Sequence, residues 1–201
     1  MDIVLSNIEK DISKYINKFD YLDDKDLWSG RLKVFLEILY SKEKGINQKF
    51  FTNFRSFKKK IIFETPSVKY SYKNFWKFGV IAEKKYCYHQ FNKVVNDNTI
   101  NLIKENPLDK VGNPIYYKNK GIIFNERYLR HIHYLYLFNK YIKPELKNEK
   151  YNLIGIGSSY GQFEKNILLN YQNIKPILVD FPEQLFVAYY YLSKNFPEKK
   201  I

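Results

Sequence analysis

The sequence predicts an α/β protein in which a mostly helical region, residues 1–150, precedes a β-α-β-α unit, residues 151–201. Two observations predict it. From Tyr151 to Glu183 the chain reads YNLIGIGSSYGQFEKNILLNYQNIKPILVDFPE: an apolar run, a small-residue turn, a helical run, a second apolar run and a carboxylate, the order of a strand-turn-helix-strand unit in a parallel sheet. Upstream, apolar residues recur mainly at helical spacing. At 201 residues the chain accommodates one domain, or one domain with a helical extension.

Ile3, Ile8, Ile12, Tyr15, Ile16 and Phe19 define an amphipathic first helix. Arg31 to Tyr40 forms a second, entered through Asp26 to Gly30 and left before Gly45. Phe50 to Tyr72 is aromatic and lysine-rich; Lys58, Lys59 and Lys60, then IIFETP with Pro66, read as loop and strand. Phe75 to Asn96 and Asn98 to Glu105 read as helices, and Asn106 to Pro114 as a loop broken by prolines and glycine. Tyr128 to Tyr141 is a buried helix just ahead of the first sheet strand. Leu153 to Ile156 is then a buried strand, Phe163 to Tyr171 a helix, and Ile177 to Val179 the next strand.

The formal charge of +13 would ordinarily point to nucleic acid or an anionic membrane. Nearly all of it is lysine, however, with Arg31, Arg55, Arg127 and Arg130 the only arginines and only two alanines. That is the signature of an AT-rich coding sequence, and the usual base-reading residue is scarce, so nucleic acid is not the expected partner. The single cysteine, Cys87, excludes an internal disulfide, and no Cys/His spacing resembles a zinc site. With no signal-peptide core and no bilayer-length apolar run, a soluble, cytoplasmic protein without a membrane span is expected.

The chemistry-bearing stretch is the turn. Gly155, Gly157 and Gly161 surround Ser158, Ser159 and Tyr160; glycine there permits positive φ and lets a ligand approach the backbone. Asp180 closes the second strand 19 residues after Gly161, placed to accept hydrogen bonds from ribose hydroxyls. Together they suggest a site for an adenosine-containing cofactor. A dinucleotide fingerprint would have glycine or alanine at position 160; Tyr160 favours a ligand without pyrophosphate, such as S-adenosylmethionine.

Residues 153–163 with LVDFPEQL and AYYYLSKNFP resemble the S-adenosylmethionine site of the putative sugar O-methyltransferase family, among the class I, Rossmann-like methyltransferases. The similarity extends through VGNP (111–114), the Gly121 turn, YLRHIHYLY (128–136) and, more loosely, FWKFGVIAEKKY (75–86). The resemblance implies a helical N-terminal region followed by the first β-α-β-α part of a Rossmann-like methyltransferase sheet. It also implies an S-adenosylmethionine-dependent O-methyltransferase acting on a sugar hydroxyl of a polysaccharide or related glycan precursor. Gly157, Ser159 and Gly161 would pass beneath the methionine and ribose portions, and Asp180 would hold the ribose. Two positions depart from the family pattern: its first-motif acid falls at Gly155, and the middle glycine of the turn is Ser159. Because such a sheet has seven strands, the chain is expected to be incomplete. It would then be a non-catalytic remnant, or half of a split enzyme associating with a complementary C-terminal chain or with itself. A dinucleotide-dependent oxidoreductase is the remaining alternative.

A sugar hydroxyl that accepts a methyl group must lose its proton, so a base beside the site is useful. His131, within the LRH triplet, is the candidate; packing on an aromatic helix is the competing role for it and for His133. Arg130 would orient an anionic substrate or the cofactor carboxylate. Tyr134, Tyr136, Phe138 and Tyr141 suit core packing better than sugar stacking.

Overall fold

The computed structural model describes residues 2–16, 35–41, 43–56, 76–143, 146, 149–199 and 201. Among these the chain is mixed α/β, with eight helices and three two-stranded sheets. Helix α1 (Ile3–Ile16) buries Leu5, Ile8 and Ile12 on one face; its expected extension to Phe19 lies outside the described residues. The described part of α2, residues 35–39, buries Phe35, Leu36 and Leu39. Tyr40 does not continue that helix: it starts strand β1 (Tyr40–Ser41), which pairs antiparallel with β2 (Gly45–Ile46). The intended helix stop, Gly45, is the hairpin's positive-φ residue, at φ 67°.

Phe50 to Asn53, at the start of the aromatic, lysine-rich stretch, are helical. They belong to α3 (Gln48–Asn53), where the Asn47 side chain accepts from the Phe50 amide at 3.0 Å and supplies the cap. Lys58 to Lys60 and Pro66 lie outside the described residues. Helices α4 (Trp76–Val94) and α5 (Ile100–Glu105) fall where periodicity put them, and a loop follows. A hairpin of β3 (Tyr117–Asn119) and β4 (Ile122–Phe124) then turns through Lys120 and Gly121, both at positive φ; two such residues in a row match the twist of adjacent strands. Helix α6 (Glu126–Tyr141) is capped by Asn125, whose side chain accepts from the Tyr128 amide at 2.8 Å. It buries Leu129, Ile132, Leu135 and Phe138, while Tyr134 and Tyr141 are exposed.

Strand β5 (Tyr151–Ile156), α7 (Gln162–Asn170), β6 (Ile174–Val179) and α8 (Pro182–Asn195) complete the order. The two strands are parallel neighbours in register from Tyr151 opposite Ile174 to Ile156 opposite Val179. Inward residues alternate with outward ones, and Ile154, Ile156, Ile177 and Val179 stay exposed on the outer face. Two apolar clusters flank this unit, and each draws on both sides of residue 150. One joins α1, Phe50, Phe51 and Phe54 to Tyr160, Val187, Tyr190 and Tyr191. The other joins α4, α5 and α6 to Ile167 and Ile174. The Gly-rich turn after β5 thus leaves the sheet between two packed cores.

Candidate functional site

Gly157 and Gly161 both adopt positive φ, at 72° and 83°, and Ser159 does so too, at 55°. A left-handed serine carries a steric cost of about 1 kcal/mol relative to glycine. It is held there by two contacts. The Ser159 amide donates to Asp180 Oδ2 at 2.7 Å, and its hydroxyl accepts from Arg127 Nη1 at 3.1 Å. The Asp180 carboxylate therefore faces the turn; its other oxygen accepts from the Phe181 amide at 2.8 Å. Each oxygen keeps lone-pair capacity for a further donor.

The three glycines serve different ends. A Cβ on Gly157 would meet nothing within 4 Å, so the backbone there is open to a ligand. A Cβ on Gly161 would come within 3.3 Å of Leu178 and Leu192, so glycine lets α7 seat against β6 and α8. At Gly155 the space is already taken: an added Cβ would lie 2.3 Å from Ser158 Oγ and 2.4 Å from Glu164 Oε1. A carboxylate from α7 occupies the place where a side chain at 155 would begin.

Tyr160 is buried, with the Arg127 guanidinium 5.2 Å from its ring centre and Arg55 at 5.5 Å. Its ring belongs to the core and its hydroxyl bonds Gln162 Oε1.

Comparison of the chain with protein-family models, curated proteins and solved structures finds no match.

Arg130 lies on the outer side of α6, 3.5 Å from Glu126 one turn earlier. The arginine that reaches the turn is Arg127, one helical turn before His131. The His131 Nδ1 lies 2.8 Å from the Arg127 carbonyl; a carbonyl only accepts, so Nδ1 carries the proton and Nε2 is the basic nitrogen. Although the residue keeps some exposed surface, burial of the ring pulls its pKa down to about 3, and the Arg127, Arg130 and Arg55 charges act the same way against the carbonyl bond. His131 is thus neutral at physiological pH.

Two carboxylates escaped sequence reasoning. Glu164, in the first turn of α7, and Glu183, in the first turn of α8, are both buried. Burial raises the Glu164 pKa and nearby Asp180 adds to it; the Ser158 hydroxyl, close by though outside hydrogen-bond geometry, works the other way. Burial pushes Glu183 up to about 7, opposed by its own amide and assisted by Asp180. Acids in a first helical turn ordinarily complement the helix dipole from the surface. The signal that separates these two is their position, each a few residues after a strand that ends at the turn.

Proposed function

We propose that the chain is an S-adenosylmethionine-dependent O-methyltransferase of Rossmann-like ancestry acting on a sugar hydroxyl, as its sequence resemblance implies. The observation that carries the reading is the Asp180 carboxylate at the end of β6, turned toward the Gly-rich turn after its parallel neighbour β5. An acid at the end of the second strand, facing a turn of open backbone, suits a ribose with two adjacent hydroxyl donors. The residues fit the cofactor on two further counts. Gly157 has free space over its Cα, and the turn and the helices after it carry buried polar atoms without hydrogen-bond partners: Ser158 Oγ, Glu164 Oε2 and both Glu183 oxygens. Tyr160 fills the position at which a dinucleotide fold seats its helix against pyrophosphate, which disfavours the oxidoreductase reading.

When bound, S-adenosylmethionine supplies a methyl group on a positively charged sulfur. The chain's own work is positioning. Asp180 accepts hydrogen bonds, the Gly157 backbone allows close approach, and Arg127 fixes Ser159 in its left-handed conformation. His131, neutral and with Nε2 as its basic nitrogen, is the candidate proton acceptor; its low pKa makes it a weak base that releases a proton readily to water.

The test is calorimetric titration of the purified chain with S-adenosylmethionine. Saturable binding with a sub-millimolar Kd, weakened at least tenfold by Asp180→Ala, supports the reading; no heat at millimolar ligand contradicts it. Transfer of a labelled methyl group to a panel of glycans then identifies the acceptor.

A further inference from the structure

Among the described residues, no lysine or arginine is hydrogen-bonded to the buried oxygens Glu164 Oε2, Glu183 Oε1 or Glu183 Oε2. Glu164 Oε2 and both oxygens of Glu183 are buried without hydrogen-bond partners, and Glu164 Oε1 lies against the Gly155 backbone that leads into the turn. Asp180 faces the turn, Glu164 reaches the backbone at its entry, and Glu183 follows Asp180 by three residues in the first turn of α8. The cation there, Arg127, is bonded to Ser159 and lies over the Tyr160 ring. The helix N-termini offer only partial positive charge. A buried, unpaired carboxylate is costly, and the cost falls when a cation is brought beside it. Among the described residues no three His, Cys, Asp or Glu side chains converge as metal ligands would, so the geometry suits an extended organic cation rather than a coordinated metal ion.

We propose that Glu164 and Glu183 form an anionic lining beneath the Gly-rich turn that selects the positively charged form of an adenosine ligand over its neutral counterpart. The inference rests on the methyl-donor reading and deepens it. S-adenosylmethionine and S-adenosylhomocysteine share the adenosine, the ammonium and the carboxylate, and differ by one methyl group and one positive charge. A site lined by unpaired carboxylates discriminates between them by charge, binding donor over product. Glu164 and Glu183 are specificity-determining residues in this account.

The experiment is calorimetric titration at pH 8 of the full chain, and of its Glu164→Gln, Glu183→Gln and double variants, with each of the two ligands. The wild-type chain is expected to bind the sulfonium at least tenfold more tightly than the thioether. The double variant should bring the two affinities within about twofold while keeping its affinity for the thioether. The wild-type ratio needs no variant to fold: equal affinity, or preference for the thioether, overturns the inference and leaves the methyl-donor reading standing. A preference that persists in a double variant with a native circular dichroism spectrum also overturns it. Binding of neither ligand overturns the reading and the inference together.

Discussion

At the scale of single residues, the turn is held in shape by groups from elsewhere in the chain. Ser159 adopts φ 55°, because Asp180 accepts from its amide and Arg127 donates to its hydroxyl. Glu164, from the following helix, occupies the place where a side chain at Gly155 would begin. Glu183 makes a pH signature. Its folded-state pKa, about 7, lies above the ordinary carboxyl value of 4.5, so the folded chain holds this proton more tightly than the unfolded chain. The contribution is fully favourable below pH 4.5 and is lost as pH rises through 7. Glu183→Gln should therefore leave stability unchanged near pH 4.5 and raise it by ~1–2 kcal/mol at pH 8, a figure reduced from the full linkage for solvent screening. Urea denaturation at the two pH values checks this; equal effects at both would contradict it.

At the scale of elements, β5 and β6 are held by the helix they share, and their outer faces contribute little. Ile167 on α7 is fully buried, whereas Ile156 on β5 is 85% exposed. Ile167→Ala should cost about 3 kcal/mol and Ile156→Ala less than about 0.5 kcal/mol, read by chemical denaturation. The β-α-β-α unit was legible because its strands are apolar runs bounded by glycine and a carboxylate, signals local in sequence. The β3–β4 hairpin was not: its strands are three residues each, and Lys120 takes a positive φ that lysine does not advertise. The helical start of Phe50 to Asn53 was hidden by its aromatic composition, although Asn47 is an N-cap residue. Arg127 and Arg130 are separable only once helix phase relative to the turn is known. Glu164 and Glu183 read as surface acids because burial depends on what packs over them, which no local pattern encodes.

At the scale of the whole molecule, the N-terminal region and the β-α-β-α unit are bound by a buried polar network centred on Asp109. Its carboxylate meets Arg55 at 3.0 Å, Lys165 at 3.2 Å and the Tyr191 hydroxyl at 2.7 Å, joining the loop after α5 to the end of α3, to α7 and to α8. The Arg55 guanidinium also lies 5.5 and 5.9 Å from the centres of the Tyr160 and Tyr191 rings, which meet edge to face. Removing the shared acid takes a carboxylate away from two buried cations, Arg55 and Lys165. Asp109→Ala should cost about 3–5 kcal/mol, measured by thermal or denaturant unfolding; a cost below 1 kcal/mol would mean that the two regions are held by apolar contact alone. Among the described residues no helix is long and apolar enough to cross a membrane.

The most direct test follows the backbone amides of the turn by nitrogen-15 NMR while S-adenosylmethionine is added. The account predicts saturable shifts concentrated at Gly157, Ser159, Gly161 and Asp180, with the amides of β3 and β4 unmoved. Shifts elsewhere in the chain with the turn silent, or no shifts at millimolar ligand, would contradict it.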